Sequence, residues 1–305
     1  MGQTITDGNL KTDIKALARA ISLVENEAGN YQQLLQELVP NTHTKVIGIT
    51  GPPGAGKSTL VDALLDKLVT DGKKVAVLCV DPSSPFNLGA VLGDRIRMSD
   101  WYTHPHVFIR SLASRGAMGG LHPKIIEITD VVLAADFDYI IIETVGVGQS
   151  EIEIAGLADV TVVVVVPEAG DEIQTMKAGL MEIANVFAVN KGDRPGADKF
   201  VKNLRLMLAP AFTQTQIPVE VVKTIAHEKQ GINELLAAVD NYLQANHFND
   251  KKAWLLTEKA YQLILKKRMA DVDKQELRNT IIQALQKNQV INLYNFVRTF
   301  EPLNV

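Results

Sequence analysis

The stretch Gly51-Pro52-Pro53-Gly54-Ala55-Gly56-Lys57-Ser58-Thr59 has the residue types and spacing of a phosphate-binding loop, G-x-x-x-x-G-K-[ST]. Phosphate oxygens need several backbone N–H groups converging at close range, and side chains at Gly54 or Gly56 would obstruct that approach. The loop follows a β-branched run and opens a segment with apolar residues at Leu60, Val61, Leu64 and Leu65, so the bound phosphates would also meet the positive end of a helix. Lys57 would give a point charge to the outer phosphates, and the Ser58 hydroxyl could coordinate Mg²⁺.

Hard oxygen ligands suit Mg²⁺, which usually takes one or two carboxylates besides phosphates and waters. Asp81 ends the run VAVLCV, and Asp94 follows in LGDRIRM; both fall where the carboxyl ends of strands would gather ligands. The plainer readings are a turn residue before Pro82 and a surface charge. Glu143 closes the run YIIIE, with Gly146 three residues on. An acid there can orient the metal and its water, and the N–H of the glycine can sense a γ-phosphate. Gln149, in the polar stretch Val147-Gly148-Gln149-Ser150-Glu151, could position the attacking water or be a solvated loop amide.

A second constellation concerns the base. Asn190-Lys191-Gly192-Asp193 has the form N-K-x-D after the run VFAV. The carboxylate of Asp193 could accept hydrogen bonds from N1–H and the exocyclic amine of guanine; adenine offers no such pair, so the wrong base would leave an acid unpaired. Thr224-Ile225-Ala226, after VEVVK, would form the second wall of the base pocket or simply a loop.

These residues need a frame that brings strand ends together. Near-continuous apolar runs stand at VIGIT before Gly51, VAVLCV over 75–80, YIIIETV over 139–145, VTVVVVV over 160–166 and VFAVN over 186–190. Such runs belong to strands covered on both faces. Their alternation with helical patterns predicts an α/β fold, a doubly wound, mostly parallel sheet. Residues 1–44 read as an N-terminal helical lead-in broken at Gly29-Asn30, 45–245 as the nucleotide-binding domain, and 246–305 as a helical extension without strand signal.

Composition narrows the function classes. With 46% hydrophobic residues in 305, one substantial core is expected. A net charge of -4 gives no broad positive field for nucleic acid. Cys79 is the single cysteine, which excludes an intramolecular disulfide and a multi-thiolate metal site. The first twenty residues lack an apolar core, acids at Asp7, Asp13, Glu25 and Glu27 argue against a targeting peptide, and no run suits a membrane helix. The expectation is a cytoplasmic protein with no membrane and no nucleic-acid partner.

With those motifs assembled, the chain resembles the MeaB/ArgK family of P-loop GTPases. The matching text is GPPGAGKSTL, VDPSSPF, LGDRIRM, FIRSLASRG with Gly119-Gly120, ETVGVGQSE, GDEIQTMKAGLMEIA and VNKGD, with ARAISLVE in the lead-in. The resemblance implies a P-loop NTPase fold of the SIMIBI type and a Mg²⁺-dependent hydrolysis of GTP to GDP. It further implies a chaperone and gatekeeper for an adenosylcobalamin-dependent acyl-CoA mutase such as methylmalonyl-CoA mutase. It also implies a homodimer held by the C-terminal extension and switch loops at Asp81–Met98, Gly146–Glu151 and Gly170–Lys177. This chain departs from the family at Asn87-Leu88, where Thr-Gly is common, at Asn185, where Asp is common, and in its C-terminal helices.

Three other readings stay open at this point. A metallochaperone GTPase usually carries a His-rich tract or C-x-x-C; here six histidines are scattered, and His104 and His106 suit a solvated loop. An amino-acid transport ATPase or kinase, a label this family has carried, conflicts with N-K-x-D. A nucleotide-dependent adaptor that does not hydrolyse would keep Lys57, Ser58 and Asp193 but lack a water-positioning group.

Overall fold

In the computed structural model the described residues are 7–81, 98–114, 121–146, 152–169, 180–208, 218–245, 249–287 and 290–299. The expected sites Asp94 and Gln149 lie outside them, as do residues 82–97, 147–151 and 170–177 of the implied switch loops.

The apolar runs form strands: β1 (Lys45–Thr50), β2 (Val75–Asp81), β4 (Tyr139–Glu143), β5 (Val160–Val165) and β6 (Val186–Val189), with β3 (Val107–Ala113) and β7 (Glu220–Lys223) at the edges. All pairings are parallel, in the order β3-β2-β4-β1-β5-β6-β7. β1 therefore lies between β4 and β5: the chain places β2 and β3 on one side, returns to insert β4 beside β1, and then reverses to add β5, β6 and β7 on the other side. That reversal of strand order is where open α/β sheets leave a crevice at the carboxyl ends.

Strand side chains alternate between the two faces. Ile47, Ile49, Val77, Cys79, Ile141, Val162 and Val164 enter one core with Leu60, Leu64 and Leu65 of α4 (Lys57–Thr70) and Leu235 and Val239 of α9 (Ile232–Gln244). Truncating one of these leucines to alanine would cost about 2–5 kcal/mol. On the opposite face α6 (Ile152–Leu157) approaches β1 so closely that a Cβ on Gly48 would stand 2.6 Å from Ile154 Cγ1 and 3.1 Å from Ala158 Cβ. Gly48 sets that spacing.

The lead-in consists of α1 (Asp7–Thr12), α2 (Ile14–Glu25) and α3 (Tyr31–Glu37), one helix more than the periodicity predicts. Asp13 separates the first two, its carboxylate accepting from the N–H of Lys15 at 2.8 Å as the N-cap of α2. α2 buries Ala16, Leu17, Ala20, Ile21 and Val24, packs on α5 (Ile125–Leu133), and is tied to β3 by Arg110, which donates to Glu25 at 2.8 Å and to the Ser22 hydroxyl at 3.1 Å. Between β5 and β7 the sheet is served by the short α7 (Leu180–Ile183) and by α8 (Ala197–Leu208).

The chain divides into two units, Met1–Lys252 and Ala253–Val305. α10 (Asp250–Arg268) begins in the first and continues through the second, which also holds α11 (Lys274–Gln286) and α12 (Leu293–Thr299). The described residues of the stretch read as a helical extension are thus mostly helical, with two separate helices over 274–299. In the second unit Trp254, Leu256, Tyr261, Leu263, Ile264 and Leu285 are exposed. No helix among the described residues is long and apolar enough to cross a membrane.

Candidate nucleotide site

The loop from Gly51 to Gly56 joins the end of β1 to α4, so the central strand delivers it to the crevice. Gly56 holds the N-cap position of α4 with φ +86° and no side-chain cap, which leaves the amides of the first turn facing the loop. A Cβ on Gly56 would lie 2.4 Å from Asn190 Nδ2. Only hydrogen fits there. Lys57 is buried; its Nζ donates to the carbonyls of Gly51 at 3.0 Å and Pro52 at 3.2 Å, which curls the ammonium into the loop. Pro53 and Gly54 are exposed, Ala55 is buried, and Thr59 lies half-buried in the first turn of α4.

Ser58 and Glu143 meet directly, the hydroxyl donating to Oε1 at 2.7 Å, and both are buried. Asp81, also buried, ends β2 next to β4; register pairs Cys79 with Glu143, so Asp81 lies two residues further toward the carboxyl edge. A buried hydroxyl and two buried carboxylates at that edge are an all-oxygen donor set of the kind a hard divalent cation takes. After β4, the Thr144 hydroxyl donates to that of Thr50 at 2.9 Å and its N–H to the Ile49 carbonyl at 3.0 Å, pinning this segment to β1. Gly146 follows with φ +83°, where an added Cβ would be 2.4 Å from both the Gly51 carbonyl and Lys57 Nζ. The backbone after Glu143 thus rests on the phosphate-loop lysine.

Asn190, 3% exposed, joins the two halves of the site. Its Nδ2 donates to the Ala55 carbonyl at 2.9 Å, while its Oδ1 accepts from the Ala226 N–H at 3.1 Å and the Thr224 hydroxyl at 3.4 Å. Both ends of the amide are engaged by protein, so Asn190 is a strut between the phosphate loop and the segment 224–226. Lys191, with φ +56°, sends Nζ to the Gly54 carbonyl at 2.7 Å, and the N–H of Gly192 donates to Thr224 at 2.9 Å. Asp193 stands exposed on this turn. Ile225 is half-buried and bridges to Gln230, and the turn Ala226–Glu228 rests on α4, where Lys229 pairs with Asp66 at 2.9 Å.

Three features were not legible in advance. Lys229–Asp66 fastens the base segment to α4 and joins residues far apart in sequence. Arg194, beside Asp193, donates to Glu168 in the turn Pro167–Ala169 after β5; this hydrogen bond holds the Glu168 carboxyl below the usual carboxylate range. Trp101 donates from its indole N–H to Asp62 of α4 at 2.7 Å, and its ring lies edge-on to His104, which is itself edge-on to His106. The histidine pair lies in a loop, as expected, half-buried in this edge-to-face contact.

Comparison with known proteins agrees with this architecture. The family model for Methylmalonyl Co-A mutase-associated GTPase MeaB matches residues 17–282. A Pyrococcus abyssi protein named provisionally as a GTPase is 47% identical over 229 residues, 74% of this chain and 71% of its own. The GTPase ArgK of Escherichia coli is 38% identical over 240 residues, 75% of this chain and 72% of its own. A crystal structure of an LAO/AO transport system kinase superposes with a TM-score of 0.66 at 27% identity, covering 96% of both chains. The chain belongs to the MeaB family of P-loop GTPases.

Proposed function

We propose that this protein is a Mg²⁺-dependent GTPase that acts as chaperone and gatekeeper for an adenosylcobalamin-dependent acyl-CoA mutase. The observation that carries the nucleotide reading is the Asn190 strut, which links the phosphate loop to segment 224–226 and so supports the reading that phosphates and base are received side by side. In this reading Gly51, Pro52, Gly54, Ala55 and Gly56 cradle the phosphates with Thr59 at the helix start, and Lys57 neutralises developing charge. Asp193, Lys191 and residues 224–226 receive guanine, while Asn190 holds their frame. Ser58, Asp81 and Glu143 would hold Mg²⁺, with Asp94 from the segment outside the described residues. The ion would neutralise charge on the β- and γ-phosphate oxygens. Gly146, against Lys57, would report the γ-phosphate, and Gln149 would orient water.

The mutase assignment draws on the family description, and the exposed apolar residues of Ala253–Val305 support a homodimer. Paired calorimetric titrations with GDP and ADP in magnesium buffer test the first part. Tight GDP binding with negligible ADP binding is expected; equal or reversed affinities would overturn the guanine assignment. Titrating a purified adenosylcobalamin-dependent mutase into a GTPase assay tests the second, and a flat hydrolysis rate to saturation would remove the chaperone role.

A further inference from the structure

The first turn of α10 is fastened to the ends of two other helices by three neighbouring side chains. Asn249 precedes α10, and its Oδ1 accepts from the Lys252 N–H at 3.1 Å, the bond of an N-cap residue to the third residue of a helix. The other end of the same amide, Nδ2, donates to the Ala158 carbonyl at 3.3 Å and reaches the Ala155 carbonyl at 3.5 Å, where α6 ends. One primary amide therefore closes the carboxyl end of α6 and the amino end of α10 at once. The amide supplies a donor and an acceptor on separate atoms, whereas an aspartate of the same shape would offer acceptors alone.

Two lysines extend this contact. Lys252 Nζ pairs with Asp159 Oδ1 at 3.2 Å, and the other oxygen of Asp159 accepts from the Val46 N–H of β1 at 2.9 Å. Lys251 Nζ donates to the Glu182 carbonyl in α7, a cation placed on the carboxyl end of a helix. Burial pushes the Lys251 ammonium below the usual lysine range, partly opposed by the charge of Glu182. All these contacts lie within Met1–Lys252, yet α10 itself runs on into the second unit.

Of the two anchor helices, α6 leads back toward the phosphate loop and α7 to the sheet. α6 lies directly on β1, with Ile154 and Ala158 against Gly48, three residues before the phosphate loop begins at Gly51. It is also the next described helix after Glu143 and Gly146. α7 is joined to the sheet through Asn185, whose side chain accepts from the Thr161 N–H of β5 at 2.7 Å.

We propose that Asn249, Lys251 and Lys252 form a joint that carries the nucleotide state of the GTPase unit into α10. The proposal rests on the guanine-nucleotide reading above. Rearrangement around Gly146 and beyond β5 on hydrolysis would shift α6 and α7, and the joint converts that shift into strain or release at the start of α10.

The test is hydrogen–deuterium exchange of the full-length protein with GDP and with a non-hydrolysable GTP analogue, read on peptides covering 253–268. Wild-type protein should exchange there at rates differing several-fold between the two nucleotides. Asn249→Asp keeps the cap on α10 but removes the donor to α6, and should abolish most of the difference while leaving GDP affinity within about twofold. Lys251→Ala/Lys252→Ala is the second variant and should act likewise. A nucleotide-dependent difference that survives in both variants overturns the joint, as does wild-type protein that binds both nucleotides yet exchanges identically. Protein that binds neither nucleotide overturns the site reading and the joint with it.

Discussion

The Ser58 hydroxyl and the Glu143 carboxylate lie 2.7 Å apart across the junction of α4 and β4, both buried at the edge where the phosphate loop opens. This contact ties the loop residue expected at Mg²⁺ to the acid expected to orient it. If both serve the cation, replacing either should weaken metal-dependent turnover more than it weakens GDP binding. Glu143→Gln preserves shape and removes charge. We expect it to lower kcat on the order of a hundredfold and to raise the Mg²⁺ concentration needed for half-maximal rate. An unchanged Mg²⁺ dependence would leave Glu143 only a hydrogen-bond acceptor for Ser58.

Asn190 gives a second test, because its amide bridges elements that no local interaction holds together. Asn190→Ala strands the Ala226 N–H and the Ala55 carbonyl in a buried setting, a loss of about 1–3 kcal/mol by denaturant titration. Guanine affinity should fall as well, since the direct link between the phosphate loop and segment 224–226 would be lost, leaving the Lys229–Asp66 pair and the Lys191–Gly54 contact to hold them. Full stability with intact GDP affinity would show that the strut is redundant.

Much of this was readable from local chemistry. The central strands are covered on both faces, so their sequences are plain apolar runs, and the phosphate loop needs glycines that few other structures need. β3 escaped because it is an edge strand that carries Arg110 and Ser111 in its middle, and the arginine is explained only by Glu25 on a distant helix. Asn190 was legible as part of N-K-x-D but not as a strut, since its partners Ala55 and Ala226 lie on other segments. The same holds for Asn249, whose double contact depends on where α6 ends.

Gly146 has room for hydrogen and nothing else. A methyl group there would meet the Gly51 carbonyl and Lys57 Nζ at 2.4 Å, in a backbone conformation at φ +83° that alanine resists. Gly146→Ala should push the Lys57 ammonium or the backbone after Glu143 aside, lowering GTP turnover by more than tenfold while the sheet stays folded. Circular dichroism with a single-turnover assay separates the two effects; unimpaired turnover would mean that this close approach has no part in hydrolysis.

Asp193 stands exposed on a turn braced by Lys191 and Gly192, so it can be changed without disturbing the core. Asp193→Asn replaces an acceptor-only carboxylate by an amide that opposes one of guanine's donors. A charge-assisted hydrogen bond is worth about 1.5–3 kcal/mol, so GDP affinity should fall roughly tenfold to a hundredfold. The GDP-to-ADP preference should narrow in calorimetry. Unchanged GDP affinity would take the base contact away from Asp193.

The neighbouring pair Arg194–Glu168 links this turn to the end of β5 and carries a pH signature. Its hydrogen bond holds the Glu168 carboxyl below its ordinary value near 4.5, so the stabilisation is fully present above that value and is lost as pH falls through the lower, folded-state value. Both side chains are about half exposed, which limits the effect to about 1 kcal/mol or less, or a few degrees in Tm. Glu168→Gln should therefore melt slightly below wild type at neutral pH, and the gap should close as acidification protonates the Glu168 carboxyl. A gap that is constant with pH would mean that the variant acts through packing at the turn Pro167–Ala169 and not through the ion pair.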